Sequence, residues 1–346
     1  MAKDKGNREK DILKRALAAL KNVAPFNVDV EEKTQALKIA NGFQLDGVVR
    51  MTLPGRELKY CAEVKANFTK TQMLLYLVHR DTLPCPLLLV ARYVNKDMAE
   101  ELKRNELEFV DTAGNMYINR PPVYIFVKGN RPVEATGRGP LKRAFRAAGL
   151  KMIYDFLCNP GLENKPYREI AADAGVALGT VNRVMKELGE LGFLLNMGKK
   201  GLKMIEKEIL LQRWVTAYPE QLRPKQLLGR YRGEQGWWQQ KKLDPQKAQW
   251  GGEVAAARLT DYLNPEMVTL YTVPHELDQF LLENKLKKDT TGNVEILERF
   301  WQPRQDQELV HPILVYADLV ATGNQRNLET AKIIYEQYIL RLVRED

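Results

Sequence analysis

The sequence predicts an α/β unit followed by an α+β region, on three observations. Residues 37–127 mix strand-like apolar runs with two helical ones, residues 167–193 space apolar and small side chains as two short helices, and the C-terminal third is helical near both ends. A length of 346 residues with 45% hydrophobic side chains suffices for two or three domains with proper cores. We expect an α/β unit at 1–130, a basic linker at 131–145, a small helical unit at 146–212 and a mixed α/β C-terminal unit at 213–346.

Local patterns predict two helices and two strands in the first unit, besides a hairpin. Its patterns indicate a helix over 5–22, a strand over 87–91, a helix over 98–105 and a strand over 123–128. The run Leu87–Ala91 is continuously apolar, which is typical of a central strand. The second helix follows Asn95 and Asp97, and the sequence does not decide which of the two is its N-cap.

Residues 42–65 predict a β-hairpin, because two alternating runs flank the turn-forming dipeptide Pro54-Gly55. If residues 53 and 56 face each other, Asp46 falls opposite Glu63, with Cβ atoms roughly 5 Å apart. Lys65 projects on the same side as Glu63, since alternate strand residues share a face. Two carboxylates so close need a cation. A hard divalent ion such as Mg²⁺ would suit them, with the lysine beside an attacking water or a phosphate in phosphodiester cleavage.

This arrangement resembles the PD-(D/E)xK nuclease superfamily, whose Asp and following E-x-K are matched by Asp46, Glu63 and Lys65. The resemblance implies a restriction-endonuclease-like N-terminal domain, with Mg²⁺ held by Asp46 and Glu63. It adds Gln72 from a Q-x-x-x-Y element, with Asp46, Glu63 and Lys65 as the other catalytic residues of an active member, and Glu9 as an acid on the first helix. Many such folds keep only binding, and the alternative interpretation is a surface Glu–Lys pair on an edge strand.

Residues 167–193 predict a DNA-reading helix-turn-helix. The inner stripes are formed by apolar and small residues at helical spacing: Ile170, Ala171, Ala174, Val181, Val184, Met185 and Leu188. Gly175 separates the two helices. The second helix then points Thr180, Asn182, Arg183 and Lys186 outward, and these side chains suit a major groove and its phosphates. The alternative is an ordinary helical hairpin whose polar face meets water.

Three flanking features favour a winged form of this motif. A helix is predicted around 152–157, a strand-like run follows at 193–195, and residues 198–201 form a basic turn. Lys199, Lys200 and Lys203 on such a wing would each neutralise a phosphate, which raises affinity without reading sequence.

Charge and cysteine usage narrow the class of protein. The formal net charge of +9 fits a polyanionic partner, and the linker region from Lys128 to Lys151 carries seven basic residues against one acid. The three cysteines are far apart and form no CxxC, so we expect buried thiols in a reducing cytosol rather than a disulfide or zinc site. No stretch has the length of a membrane span or the apolar core of a signal peptide, which predicts a cytoplasmic protein.

Taken in order, the motifs are similar to the AbiEi-like antitoxins of type IV toxin–antitoxin systems, in their long form with a nuclease-like domain before the winged helix. The similarity is carried by residues 63–65, 107–115, 250–253 and 311–319. It implies a transcriptional repressor that binds operator repeats near its own operon and lowers expression of a nucleotidyltransferase-like toxin without needing to touch it. The implied partners are double-stranded DNA, a second copy of the chain on two-fold operators and the cognate toxin.

Several other residues have two interpretations from the sequence. In the V-D-x-A-G-N segment, Gly114 would permit a positive φ while Asp111 and Asn115 cap amides, a structural role. Residues 251–253 resemble a nucleotidyltransferase glycine turn but lack a following D-x-D, which favours a packing turn. His311 is expected to be a core or capping group. Trp237 and Trp238 would either stack on bases or be buried at an interface.

Three functions follow from these patterns. The first is a sequence-specific DNA-binding regulator, the second a Mg²⁺-dependent DNA nuclease targeted by the winged helix, and the third a module that binds a toxin through the C-terminal unit. The regulator hypothesis depends on an open surface at Thr180, Asn182 and Arg183. The nuclease hypothesis depends on a reachable cleft at Asp46, Glu63 and Lys65.

Overall fold

A computed structural model describes residues 2–23, 27–38, 44–53, 56–66, 68–121, 123–132, 142–302 and 307–344. The chain divides into two units, Met1–Pro140 and Leu141–Asp346. Both combine helices with β-sheet, so the expected mixed α/β and α+β class is confirmed at this level. No helix within the described ranges is long and apolar enough to cross a membrane.

The N-terminal unit is built on one sheet of seven strands that follow each other in chain order. The strands are β1 (Asn27–Lys38), β2 (Gln44–Leu53), β3 (Arg56–Lys65), β4 (Leu87–Ala91), β5 (Glu108–Asp111), β6 (Met116–Arg120) and β7 (Val123–Val127). The helices are α1 (Ala2–Val23), α2 (Lys70–His79) and α3 (Lys96–Arg104). Strands β3, β4 and β5 run parallel, because α2 and α3 carry the chain back between them, and the other neighbours are antiparallel.

The core of this unit lies between α1 and the sheet. The buried stripe of α1 recurs at helical spacing and packs on the inner side chains of the strands: Ile12, Leu13, Ala16, Leu17 and Leu20. The predicted central strand is β4, whose five residues are all buried. Asn95 caps α3, since its Oδ1 accepts a hydrogen bond from the Met98 amide at 2.8 Å.

The predicted hairpin is formed by β2 and β3. Its register runs from Leu53 opposite Arg56 to Gly47 opposite Ala62, as the sequence indicates. The predicted turn at residues 54 and 55 lies outside the described residues. Because β3 lies between β2 and β4, the interpretation of an edge strand is wrong.

The expectation of three free thiols is wrong for two of them. Cys61 on β3 and Cys85, just before β4, form a disulfide, with Cα atoms 5.5 Å apart. The parallel pairing of β3 with β4 sets Cys61 beside Leu87, and a pairing of that kind is invisible in the spacing along the chain. Cys158 is outside the disulfide and half-buried.

The C-terminal unit begins with three helices and a two-stranded hairpin. These are α4 (Ala147–Cys158), α5 (Tyr167–Asp173), α6 (Leu178–Glu190), β8 (Leu194–Asn196) and β9 (Leu202–Met204). The end of the predicted linker packs into this unit, because Ala144 and Phe145 are buried. Residues 133–141, the rest of that linker, lie outside the described ranges.

A five-stranded sheet with order β11-β12-β14-β10-β13 forms the rest of this unit. Its strands are β10 (Leu227–Arg232), β11 (Ala248–Gly251), β12 (Val268–Thr272), β13 (Lys287–Lys288) and β14 (Val294–Glu298). The helices are α7 (Lys207–Gln221), α8 (Arg223–Gln226), α9 (Gly252–Thr260), α10 (Leu277–Glu283), α11 (Pro312–Thr322), α12 (Gln325–Ile334) and α13 (Leu340–Arg344), with a π-helical turn at Tyr335–Ile339.

Helix α7 joins the two parts of this unit. Trp214 donates its indole N–H to the Leu150 carbonyl of α4 at 2.8 Å, and Tyr218 one turn later donates to Asp318 of α11 at 2.9 Å. The helix therefore runs across the boundary expected at residue 212. The expected domain limits at 130, 145 and 212 stay predictions.

Candidate functional site

Helices α5 and α6 bury one face each and leave the other open. The predicted inner positions Ile170, Ala174, Val181, Val184, Met185 and Leu188 are all buried, and Ala171 is half-buried. Gly175 has φ +59°, a left-handed conformation that lets the chain turn sharply between the two helices. The pattern of small and apolar residues thus specifies this helix pair.

The outward face of α6 carries the residues expected there. Asn182, Arg183 and Lys186 are exposed, and Thr180 in the first turn is half-buried. Leu178 at the first helical position is also open to solvent, with 47% of its surface exposed. The sequence pattern did not single out Leu178, because small and polar residues dominate this face and an apolar residue at helical spacing is expected in the core.

The hairpin β8–β9 projects next to α6, and β8 packs against that helix. Lys199 and Lys200 lie in the connecting turn and Lys203 on β9, and all three are exposed. The turn contains Gly198 and Gly201 at φ +65° and +83°, which glycine adopts without strain.

Asn164 fixes the hairpin to the chain segment before α5. Its Oδ1 accepts from the Leu202 amide at 2.6 Å and its Nδ2 donates to the Leu202 carbonyl at 2.7 Å. Gly201 permits this approach, because a Cβ atom there would lie 2.3 Å from Asn164 Oδ1. The Asn164 side chain therefore forms with Leu202 the pair of hydrogen bonds that a neighbouring strand would form. No local pattern around residue 164 predicts such a contact.

The cations of this surface share one electrostatic property. Within the described part of the chain, no ion pair involves Arg183, Lys186, Lys199, Lys200 or Lys203. Other basic side chains of the unit do have acidic partners, as Arg223 has in Asp318 and Glu295. Because these exposed cations have no acidic partners, their positive charge is not neutralised within the protein and can attract an external anion.

A second group of predicted site residues meets in the N-terminal unit, and we name Asp46, Glu63, Lys65 and Tyr76 the carboxylate site. Glu63 is buried and forms an ion pair through Oε1 with Lys65. Asp46 Oδ2 accepts a hydrogen bond from the Val64 amide at 2.6 Å. Tyr76 on α2 is hydrogen-bonded to Glu63. The hairpin register and the second half of α2 therefore bring these four together.

Burial governs the titration of this site. Burial raises the pKa of Asp46 to about 6, and the negative charges of Glu9 and Glu63 add to it. Burial lowers the pKa of Lys65, but the carboxylate of Glu63 outweighs this and the pKa ends above its ordinary value. Burial and Glu63 also hold the pKa of Tyr76 well above its usual range. Lys65 is thus a cation at neutral pH.

The side-chain carbonyl of Gln72 is not part of the carboxylate site. Its side-chain Oε1 accepts from the Thr69 backbone amide at 3.0 Å, and its backbone amide donates to Thr69 Oγ1 at 3.3 Å. These two bonds form a capping box at the start of α2. Of the Q-x-x-x-Y element, the tyrosine reaches the carboxylate site and the glutamine caps the helix.

The carboxylate site fits a divalent cation only in part. Glu63 Oε2 is buried and has no hydrogen-bond partner, so one oxygen is available to a cation. However, among the described residues no three His, Cys, Asp or Glu side chains form a group that could hold a metal ion. Asp46 and Glu63 would therefore bind an ion such as Mg²⁺ as two carboxylates, with water completing its coordination.

In the C-terminal unit the polar residues with two interpretations are structural. Glu253 accepts from the Glu266 amide at 2.7 Å, from the Met267 amide at 3.2 Å and from Asn327 at 2.9 Å, so residues 251–253 form a packing turn. His311 caps α11, because its Nδ1 accepts from the Ile313 amide at 3.3 Å. Burial lowers the pKa of His311 to about 4, so it is neutral at pH 7.

Asp318 is the centre of a buried polar network. It accepts hydrogen bonds from Tyr218 at 2.9 Å, from Tyr271 at 2.8 Å and from Arg223 Nε at 3.0 Å. The guanidinium of Arg223 also reaches Glu295 at 2.8 Å. Helices α7, α8 and α11 and strands β12 and β14 are thereby held together by one network, which gives Asp318 a structural role.

Residues 203–340 match the family model described as transcriptional regulator, AbiEi antitoxin, type IV toxin–antitoxin system. Over these residues the resemblance to the AbiEi-like antitoxins is confirmed. The matched segment begins inside β9 and contains the Glu253 turn and the Asp318 network. It leaves out α5 and α6, as well as the whole N-terminal unit. No curated protein and no solved structure matches the chain.

Proposed function

We propose that this protein is a sequence-specific DNA-binding repressor of its own operon and the antitoxin of a type IV system. In this proposal α5 and α6 are a helix-turn-helix and the β8–β9 hairpin is its wing. The observation that carries it is the surface of Arg183, Lys186, Lys199, Lys200 and Lys203, which is exposed and holds five cations without acidic partners. The family match to antitoxin regulators supports it independently.

Recognition would divide between the helix and the hairpin. Asn182 and Arg183 near the start of α6 are side chains of the kind that hydrogen-bond to adenine and guanine edges in the major groove. Leu178 beside them is exposed and could contact a thymine methyl group. The hairpin lysines would bind phosphates, which positions the protein without reading sequence.

The test is binding to the DNA upstream of the protein's own gene. Arg183→Ala should weaken specific binding about tenfold or more, because a good bidentate contact to guanine contributes about 1–3 kcal/mol of discrimination. Fluorescence anisotropy with labelled upstream DNA and with a scrambled duplex measures the effect. Lys225→Ala, which removes one exposed charge from α8, is the matched control and should bind as the wild type does. Unchanged affinity of Arg183→Ala would contradict the placement of the recognition helix.

A second candidate function, a Mg²⁺-dependent nuclease, is favoured by one observation, the gathering of Asp46, Glu63 and Lys65 at one site. If the site is active, plasmid and linear DNA should be cut with Mg²⁺ or Mn²⁺, and both Asp46→Asn and Lys65→Ala should remove cleavage. Lys59→Ala, an exposed lysine on the same strand, should cut like the wild type. Intact DNA with every metal would contradict the nuclease hypothesis and leave the repressor proposal untouched.

A further inference from the structure

Helix α6 is bordered on both sides of its exposed face. On one side β8 packs against it, and the Leu194 carbonyl oxygen lies 3.7 Å from where a Cβ atom of Gly189 would be. On the other side the Ala144 amide donates to Glu187 Oε2 at 2.5 Å. Gly189 and Glu187 point to nearly opposite sides of the helix, because two residues advance it by about 200°. The face between the two borders carries Asn182, Lys186 and Arg183.

The second border is a short 3₁₀ turn at residues 142–146, which we call the 142–146 turn. Two backbone hydrogen bonds of 3.0 and 3.1 Å close it. Its middle residues, Ala144 and Phe145, are buried. Gly149 allows the turn to lie close to α4, because a Cβ atom there would collide with the Ala144 carbonyl. The turn is therefore fixed on both α4 and α6.

The hairpin and the 142–146 turn are also held by the same side chain. The guanidinium of Arg213 on α7 lies 5.9 Å from the ring centre of Phe145 in the turn and 5.1 Å from that of Phe193, just before β8. Both rings are buried, and contacts of this kind are attractive. The two borders of α6 thus share one support.

The 142–146 turn exposes cations that have no acidic partner. Arg143 and Arg146 are exposed, and Lys142 is half-buried. Within the ranges that the structure describes, none of the three takes part in an ion pair. Glu187 holds the turn through the Ala144 amide and not through these side chains. With the hairpin lysines beyond the other border, positive charge flanks α6 on both sides.

A major groove has the matching arrangement of negative charge. The groove is about 12 Å wide and a helix with its side chains is about 10–12 Å across, so a helix in the groove has one phosphate backbone on each side. Contacts to phosphates fix the register and orientation of a protein on the duplex. Cations on one side of α6 alone would leave one backbone without such contacts.

We propose that the 142–146 turn is a second phosphate-binding element, which contacts one DNA strand while the β8–β9 hairpin contacts the other across the groove that holds α6. The inference rests on the proposed DNA-binding function and adds the contacts that fix how α6 enters the groove. It gives Arg143 and Arg146 a positioning role that reads no sequence.

The test uses the full chain and the DNA upstream of its gene, with ethylation interference read on each strand separately. In the wild type, ethylated phosphates on both strands should block binding. Arg143→Ala with Arg146→Ala should remove the interference on one strand. Lys199→Ala with Lys200→Ala should remove it on the other strand. All four side chains are exposed, so both double variants should fold as the wild type does.

Anisotropy titrations at several salt concentrations measure the same contacts in another way. Without both arginines, binding to upstream and scrambled DNA should weaken alike, and the slope of log K against log salt should become shallower by about 2. Arg143→Lys with Arg146→Lys keeps the charge and should keep the wild-type slope. The matched control, Lys287→Ala with Lys288→Ala, removes two exposed charges from β13 and should leave the interference pattern unchanged.

Loss of interference on the same strand in both double variants, or an unchanged slope without the arginines, would overturn the inference. If Arg183→Ala still weakens specific binding in that case, the repressor proposal stands and only the role of the 142–146 turn is removed. If the wild type does not distinguish upstream from scrambled DNA, the repressor proposal fails and this inference fails with it.

Discussion

At the scale of single residues, several buried acidic side chains, Glu108, Asp111 and Glu253 among them, accept hydrogen bonds from backbone N–H groups. Asp111 accepts from the amides of Val94, Ala113 and Asn115, each at 2.8 Å, while Gly114 turns at φ +84° between them. Such carboxylates are kept because each unsatisfied buried amide would cost about 1–3 kcal/mol. The expected structural role of the V-D-x-A-G-N segment agrees with these contacts.

Asp46 differs, because burial raises its pKa to about 6 from an ordinary value of 3.8. The folded chain therefore holds this proton more tightly than the unfolded chain. The contribution of Asp46 to stability is fully present below about pH 4 and is lost as the pH rises through about 6. Asp46→Asn, which does not ionise, should gain stability relative to the wild type as the pH increases from 4 to 7.

Hydrogen exchange of the peptide 44–65, followed by mass spectrometry at several pH values, measures this locally. Asp29→Asn on β1 exchanges one exposed aspartate for an amide and should show no such pH-dependent gain. A constant difference between Asp46→Asn and the wild type across pH 4–7 would show that the pKa of Asp46 is not raised.

At the scale of elements, the hairpin β8–β9 is positioned by a side chain rather than by its own length. Three residue pairs form its ladder, and Asn164 adds two hydrogen bonds to Leu202. Isolated two-stranded hairpins are marginally stable in water, so such a short one needs an anchor.

Asn164→Ala should release the hairpin and lower affinity for the upstream DNA about fivefold, since losing these bonds costs on the order of 1 kcal/mol of positioning. Deuterium uptake of residues 194–204 should rise in the same variant, while α6 keeps its protection. Asn264→Ala, exposed and outside this segment, serves as control. Full DNA affinity despite a loosened hairpin would show that the hairpin does not contact DNA.

Helices and strands with a regular hydrophobic period could be predicted from the sequence. Contacts between residues that are distant in the chain could not. The stripes of α5 and α6, the register of β2 with β3 and the buried β4 follow from local spacing. Strand β1 was missed, because beyond Val28 and Val30 its sequence is mostly polar and it lies at the sheet edge. The Cys61–Cys85 disulfide and the Asn164 anchor join residues that are distant in the chain, so no local pattern contains them.

At the scale of the whole molecule, the net charge of +9 is less informative than where unpaired cations lie. If the hairpin lysines contact phosphates, replacing Lys199 and Lys200 by alanine should weaken binding to all DNA sequences alike. The dependence of log K on log salt should become shallower by about 2, because each phosphate contact contributes about 0.9 to the slope.

Anisotropy titrations between about 50 and 200 mM salt measure this slope. The matched control, Lys287→Ala with Lys288→Ala, removes the same charge from exposed positions on β13. An equal loss of slope in both double variants would mean that net charge, and not the hairpin, governs binding.

Helix α7 has a consequence for protein engineering. Trp214 of this helix is hydrogen-bonded to α4, and Tyr218 is hydrogen-bonded to Asp318 of α11. A chimera joined at residue 212 would therefore interrupt a helix that contacts both the helical segment and the C-terminal sheet region. If α6 and the hairpin read DNA as proposed, chimeras meant to exchange operator preference should transplant only the surface of α6 and the hairpin turn, residue by residue, and leave the host's α7 intact.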